Sequence, residues 1–365
     1  MIRNFFSGVG SMLNLGRKLR VGLDIGSHTI KAVVVEKHGN SFRVLNRAAR
    51  PIYTEGKVWN PDGPKRSQLV PLLMEIFQSF KLHPKRLKDV RATVFGLQVA
   101  AKEIVAVPLE QQEMASAMLL EARKHIPLDG SETQVDYQLM GEHPQDTEKV
   151  RVLLAATTKR LFTGLLDTLG ALEIRPSVVD IEPLAMANSY LTFHDLPDEG
   201  VIVMLNIGCR KTGVIIFGRK DMFFTREIPV AGAQFTEELM KNYGLEYSKA
   251  EEIKMTQGMN PDLPHSEEES GSLRLAQKSV IERFGDEINR TLRYYVKETS
   301  QSLFTKFVLV GGSANLPELR EYLANKFNAT VDLYDPFARL EVASEDGGGH
   351  PAQYAGAVGL AIREA

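Results

Sequence analysis

Four short stretches of this chain bring together residue types that handle phosphate. The first is Asp24-Ile-Gly-Ser-His-Thr29, with a carboxylate, a glycine and two hydroxyls in six residues. Gly26 lets the backbone approach a ligand closely. Successive N–H groups with the Ser27 and Thr29 hydroxyls can receive phosphate oxygens, and an aspartate beside them can hold Mg²⁺ through its waters. The second is Asn206-Ile-Gly-Cys-Arg-Lys-Thr212, and the third is Gly311-Gly-Ser-Ala-Asn315. The fourth is Asp180-Ile-Glu-Pro183, where an acid opens a helix. Each alone has a plain alternative. Asp-x-Gly occurs in ordinary hairpins, Gly-Gly in close helix–strand packing, and a first-turn Glu182 suits the positive end of a helix dipole. Their order and spacing along one chain are far more specific.

The elements that must position these residues can be read from periodicity. Strand-like runs at 21–25, 30–36 and 42–49 surround the first turn, with a helix over 67–82 and a strand over 90–95. Residues 97–160 read as an inserted α+β module. It has an extended run 99–107, a helix over 110–126 with Ala115, Leu119, Ala122 and Ile126 on one face, and strands 133–140 and 150–157 joined by a polar loop 141–149. A helix over 159–172, a strand over 177–181 and a helix from Pro183 follow. The order 201–207, 212–218, 222–228 then repeats the opening three-strand layout, a weak internal duplication. Beyond it lie helices at 233–243, 248–257 and 272–300, with an exposed loop at 258–271 carrying Glu267-Glu268-Glu269. A strand over 306–310, a helix over 317–327 with Pro317 in its first turn, a strand over 329–333 and a small-residue helix over 352–363 complete the chain.

The bulk properties exclude several classes. At 365 residues, two or more domains are expected. A formal net charge of -2 gives no global attraction to nucleic acid. One cysteine, Cys209, excludes a disulfide framework and suits a reducing cytoplasm. No apolar run approaches the ~20 residues needed to span a bilayer. Residues 1–20 place Ile2, Phe5, Phe6, Val9, Met12 and Leu13 on one helical face and end in Arg17, Lys18 and Arg20. Such a segment can lie on an anionic membrane surface or dock on a partner. Gly8, Gly10 and Gly16 make a frayed leader the alternative.

Taken together, the motifs resemble those of the actin-like ATPase superfamily. The two glycine turns match its paired phosphate loops. Glu182-Pro183 matches its first connecting helix, Gly311-Gly312 its adenosine motif, and the small-residue terminal helix its second connecting helix. Within the superfamily the chain resembles the PilM family of type IV pilus assembly proteins over residues 20–363, with the cell-division protein FtsA more distant. Asp24-Ile-Gly-Ser-His-Thr-Ile-Lys31, Val135-Asp-Tyr-Gln138, Val178-Val-Asp-Ile-Glu-Pro-Leu-Ala185 and Phe224-Thr-Arg-Glu-Ile-Pro229 carry that likeness.

The resemblance implies an α/β fold of actin-like, ribonuclease H-like duplicated design, with a 1C subdomain inserted. Domain I would comprise 21–96, 161–198 and 346–365, the insert 97–160, and domain II 199–345. It implies ATP or ADP with Mg²⁺ between the domains. Asp24 would hold the metal through water, opposite a weakened position at Asn206. Gly26, Ser27, Thr29 and Lys31 would meet the phosphates from one side, Gly208 and Thr212 from the other. Gly311, Gly312 and Ser313 would approach the adenosine, Glu251 and Lys254 the ribose and base, and Glu182 would orient the attacking water. The implied setting is cytoplasmic, peripheral at the inner membrane. The implied partners are the cytoplasmic N-terminal peptide of a PilN-like membrane protein, held in a groove of the insert, and other pilus platform proteins.

Two departures from the pattern bear on chemistry. Asn206 stands where the second phosphate turn normally has Asp. An amide cannot neutralise Mg²⁺ charge, so metal grip and hydrolysis should both weaken. Arg210 and Lys211 replace small polar residues, and solvent is the favoured place for both; His28 reads as structural. Alternatives are an FtsA-like division or secretion component and, more remotely, a sugar or acetate kinase of the same fold.

Overall fold

The computed structural model describes residues 18–39, 41–53, 64–94, 99–124, 131–143, 146–264, 278–343 and 347–364. The amphipathic reading of residues 1–17, the Glu267-Glu268-Glu269 run and Ile126-Pro127 lie outside the described residues.

The chain opens with β1 (Leu19–Ile25), β2 (Thr29–His38) and β3 (Ser41–Pro51) as an antiparallel meander. The β-branched run Ile30–Val35 suits this, since such side chains pack well on a pleated surface. Helix α1 (Arg66–Ser79) buries Leu69, Leu73, Ile76 and Phe77 against the sheet. Strand β4 (Val90–Val94) then pairs parallel to β1.

The insert follows: β5 (Val99–Ala106), α2 (Gln111–Ala122), β6 (Thr133–His143) and β7 (Asp146–Thr158). Its strands form a separate three-stranded sheet in the order β5-β7-β6. Two expectations need correction here. Helix α2 buries Met114, Met118 and Ala122, not a stripe through Ala115 and Leu119. Both stripes have helical spacing, and the sheet beneath takes the longer methionines to fill its irregular surface. The expected loop 141–149 is mostly strand, because its polar residues continue the ladder, as in Glu142 opposite Val150.

Helix α3 (Lys159–Gly170) returns to the first unit, capped by Thr158 Oγ1, which accepts from the Leu161 N–H. Strand β8 (Val178–Ile181) pairs parallel to β4, and α4 (Glu182–Leu191) leaves its end.

The second unit begins with the antiparallel meander β9 (Val201–Ile207), β10 (Thr212–Phe217) and β11 (Phe224–Ile228). Helices α5 (Gly232–Tyr243), α6 (Tyr247–Thr256) and α7 (Val280–Thr299) follow. Of the helix expected over 272–300, 272–277 lie outside the described residues, and α7 starts at Val280. Ser279 caps it in a reciprocal box with Glu282, whose carboxylate accepts from the Ser279 N–H at 2.8 Å. Strand β12 (Phe304–Val310) runs parallel to β9, α8 (Leu319–Phe327) follows, and β13 (Val331–Leu333) lies parallel to β12. Pro317 precedes α8 instead of sitting in its first turn, because Glu318 takes a left-handed φ of 66° that no helix can include. The two-residue β14 (Glu341–Val342) has already rejoined the first sheet beside β3, and α9 (Ala355–Ile362) ends the fold.

The two large sheets share one plan. Their strand orders, β14-β3-β2-β1-β4-β8 and β11-β10-β9-β12-β13, each join an antiparallel meander to two parallel strands. The duplication read from the layout of the sequence is therefore a repeated topology. Helices α4 and α9 cross beside both sheets. At Gly359 a Cβ would stand 1.8 Å from the Ala185 carbonyl oxygen, so only glycine permits this crossing.

Candidate functional site

The carboxyl ends of β1 and β9 carry the Gly26 turn and Asn206 to one cleft, of about 790 Å³. Strand ends at such a switch between halves are where open α/β sheets bind ligands. Of the residues singled out by sequence, Gly26, Ser27, Thr29, Lys31, Glu182 and Asn206 line it, as do Gly208, Glu251, Lys254, Gly311, Gly312 and Ser313.

The first turn closes with the Gly26 N–H donating to the Thr29 carbonyl at 3.1 Å. Asp24 lies beneath it, 2% exposed, with Lys31 Nζ 2.9 Å from its Oδ2. Burial raises the Asp24 pKa, and the Lys31 ammonium works against that rise. His28 also lines the cleft, with Nδ1 3.2 Å from the Thr29 hydroxyl, and burial lowers its pKa.

The second turn is held by the Gly208 N–H on the Lys211 carbonyl and by the start of α5, where the Gly232 N–H donates to the Gly208 carbonyl at 2.9 Å. Gly311 has φ +100°, and a Cβ there would lie 2.6 Å from Asn206 Oδ1. With its oxygen against Gly311, the Asn206 amide turns its nitrogen outward and donates to Glu182 Oε1 at 2.8 Å.

Two expectations change at this turn. Thr212 is fully buried and donates its hydroxyl to the Val230 carbonyl at 2.8 Å, so it braces the loop below the cleft. Arg210 and Lys211, both assigned to solvent, line the cleft instead; the Lys211 ammonium pairs with Glu227 and stands 3.9 Å from Glu182 Oε2. Two carboxylates in a half-buried place draw the cation inward.

On the far wall Lys254 is 2% exposed. Its ammonium donates to both oxygens of Glu251 at 2.7 and 2.6 Å and to Thr236 Oγ1 at 2.9 Å. The Glu251 carboxylate accepts from Thr236 as well. Among the lining residues that sequence reading missed are Gly232, Tyr247 and Arg160. Gly232 carried a usable signal, a glycine opening a helix after a strand; a Cβ on it would sit 2.3 Å from Ser313 Oγ. Burial, with Glu251 adding to it, raises the Tyr247 pKa, and burial pushes the Cys209 thiol up to about 11, which keeps it protonated and inert.

The side chains as they stand do not fit a divalent cation. Asp24 already faces an ammonium, and position 206 presents N–H donors toward Glu182. Among the described residues no group of three or more His, Cys, Asp or Glu is placed to hold a metal ion.

A second groove, of about 1060 Å³, runs between the insert and the first sheet. Strand β6 is the outer strand of one sheet and β8 of the other, and both line it. Tyr137, Phe162 and Ile174 supply apolar lining, and Arg363 pairs with Asp180 in its wall. On its opposite side the insert is fixed to the second unit. Glu103, 3% exposed, pairs with Arg151 and accepts from the Phe223 N–H at 2.9 Å, while Thr225 Oγ1 donates to the Ala101 carbonyl at 2.7 Å.

Two sheets of one topology, a glycine turn from each meeting at a shared cleft, and two helices crossing behind them define an actin-like fold. Solved structures agree. A PilM-PilN type IV pilus biogenesis complex superposes with TM-score 0.73 at 24% identity, over 94% of this chain and 97% of that one. The ethanolamine utilization protein EutJ of Carboxydothermus hydrogenoformans gives 0.53 at 14% identity, over 94% and 89%. MreB 5 of Spiroplasma citri, bound to AMPPNP, gives 0.50 at 13% identity, over 93% and 94%. The family model for the type IV pilus assembly protein PilM matches residues 22–365, and the chain belongs to that family. Among the described residues no helix is long and apolar enough to cross a membrane.

Proposed function

We propose that this chain is a nucleotide-binding scaffold of the type IV pilus assembly platform, acting in the cytoplasm at the inner membrane. The observation that carries the reading is the meeting of two glycine turns, one from each large sheet, at one cleft with a third glycine turn at its wall. ATP or ADP would place its phosphates against Gly26, Ser27 and Thr29 on one side and Gly208 on the other. The adenosine would lie by Gly311, Gly312 and Ser313, with the Glu251–Lys254 pair facing ribose and base. Residues 21–96, 161–198 and 346–365 act as one unit, 199–345 as a second and 97–160 as the insert. Glu182 is the residue to orient a water, but its Oε1 is occupied by the Asn206 amide, so the cleft holds nucleotide better than it cleaves it.

The PilM-PilN complex supports a PilN-like membrane protein as the partner. Its N-terminal peptide would enter the second groove as an extended segment. Two outer strands there offer main-chain groups for pairing and apolar pockets for side chains.

Calorimetric titration of the full chain with ADP and ATP tests the cleft. Saturable one-to-one binding that Gly26→Val removes is the expected result, since a side chain there crowds the Thr29 carbonyl and Lys31, and unchanged affinity in that variant rejects the phosphate assignment. A synthetic PilN-type N-terminal peptide should protect 133–138 and 178–181 from hydrogen exchange. Protection confined to 199–343 rejects the groove.

A further inference from the structure

We infer that this cleft supplies the counter-charge for a nucleotide's phosphates from its own lysines, that binding therefore proceeds without a divalent cation, and that Lys211 is the residue that meets the terminal phosphate. The inference rests on the nucleotide reading above and says how that same site works.

The carboxylates that would hold a metal already face cations or donors of the protein. Asp24 Oδ2 takes no hydrogen bond but is ion-paired with Lys31 at 2.9 Å. Glu182 has the Asn206 amide on one oxygen at 2.8 Å and the Lys211 ammonium 3.9 Å from the other. A magnesium ion entering here would displace two ammonium groups and would find a hydrogen-bond donor where the second phosphate turn should offer an anion. Around the cleft five Lys and Arg side chains, Lys31, Arg160, Arg210, Lys211 and Lys254, meet four carboxylates, Asp24, Glu182, Glu227 and Glu251, which leaves a small positive excess. Such a balance favours polyphosphate.

Lys211 is the member of this set placed to respond to the ligand. It belongs to the second phosphate turn, two residues before Gly213, and its flexible stem already reaches into the cleft from the rim. Its anchor, Glu227, is a β11 carboxylate whose pKa burial raises, against the pull of Lys211 itself. A phosphate between Lys211 and Lys31 exchanges one carboxylate partner for a stronger, more highly charged acceptor, and the ammonium needs only a change of side-chain torsion to follow. ADP lacks that terminal phosphate and makes no such demand on Lys211.

The test is calorimetric titration of the full chain with ADP and with AMPPNP, each in excess EDTA and in millimolar Mg²⁺. The expected dissociation constants agree within about threefold between the two conditions. In EDTA, Lys211→Gln should weaken AMPPNP by about tenfold and ADP by much less. Binding in Mg²⁺ that vanishes in EDTA overturns the inference and leaves the nucleotide reading standing. No binding in either condition overturns both. Wild-type affinity for AMPPNP in the Lys211→Gln variant removes Lys211 from the site. If that variant does not fold, Lys211→Met decides in the same titration: selective loss of AMPPNP keeps Lys211 in the site, and wild-type affinity removes it.

Discussion

Asn206 and Glu182 are joined by a hydrogen bond of 2.8 Å that spans the two halves of the molecule: Asn206 lies near the carboxyl end of β9 in the second sheet, and Glu182 opens α4 at the end of the first. The bond depends on residue 206 being an amide. Aspartate would face the Glu182 carboxylate at the same distance with no proton between them.

Asn206→Asp should therefore destabilise the free protein, by about 1–3 kcal/mol for a lost hydrogen bond and a like-charge contact. The same change creates a pair of carboxylates that suits a divalent ion. Thermal melts with and without Mg²⁺ should show the variant melting lower in EDTA and gaining more from Mg²⁺ than the wild type gains. An Mg²⁺ shift equal in both proteins would mean that residue 206 does not decide metal affinity.

Lys254→Met should weaken ADP and ATP alike, because Lys254 lies on the wall away from the phosphate turns. It also strips Glu251 and Thr236 of their shared donor. With the Glu251 side chain 33% exposed and able to turn to water, the cost should be about 1–3 kcal/mol, below that of a fully buried pair. Denaturant unfolding and titration with each nucleotide measure the two effects. Selective loss of ATP would shift Lys254 to the phosphate end.

Much of this architecture was legible because each half begins with a β-branched run, a glycine turn and a second run, and such a pattern admits few topologies. The glycine turns were legible for the same reason, since close backbone approach restricts residue choice. What escaped depended on direction. Thr212 and Lys211 are neighbours, and composition favours the hydroxyl as the phosphate ligand. The pleat puts Thr212 inside, on the Val230 carbonyl, while Lys211 reaches the cleft because Glu227 and Glu182 converge there. The stripe of α2 failed similarly: Met114 and Ala115 begin equally periodic faces, and only the position of the insert's sheet chooses between them.

Gly359→Val should be among the most damaging single changes outside the cleft. Its first side-chain carbon would meet the Ala185 carbonyl at 1.8 Å, a backbone contact no rotamer relieves. Forcing α4 and α9 apart should cost more than the ~1–3 kcal/mol typical of overpacking. Urea unfolding of the purified variant, or its failure to accumulate as soluble protein, reads this out, and wild-type stability would contradict the tight crossing.

Glu103→Ala should loosen the insert from the second unit. It removes the acceptor of the Phe223 N–H and the partner of Arg151. Hydrogen exchange at 99–106 and 221–228 should quicken by about tenfold or more, as for a loss of ~1.5 kcal/mol of local stability. Exchange at β13, remote from this contact, should not change.

His28 sets the sign of one pH effect. Burial lowers its pKa in the folded state below the unfolded value of 6.5. As pH falls through 6.5 the unfolded chain takes up the proton first, so stability declines until the folded pKa is passed. The drop in melting temperature between pH 7.5 and 5.5 should be smaller in His28→Asn than in the wild type.

Hydrogen exchange of the full chain with and without saturating ADP reads out whether nucleotide lies between the two sheets. Exchange should slow at 24–31, 206–212, 232–236 and 311–313 together, since both turns and the adenosine wall would close on one ligand. Slowing on one side of the cleft only, or none at these four segments, would show that nucleotide does not bind there.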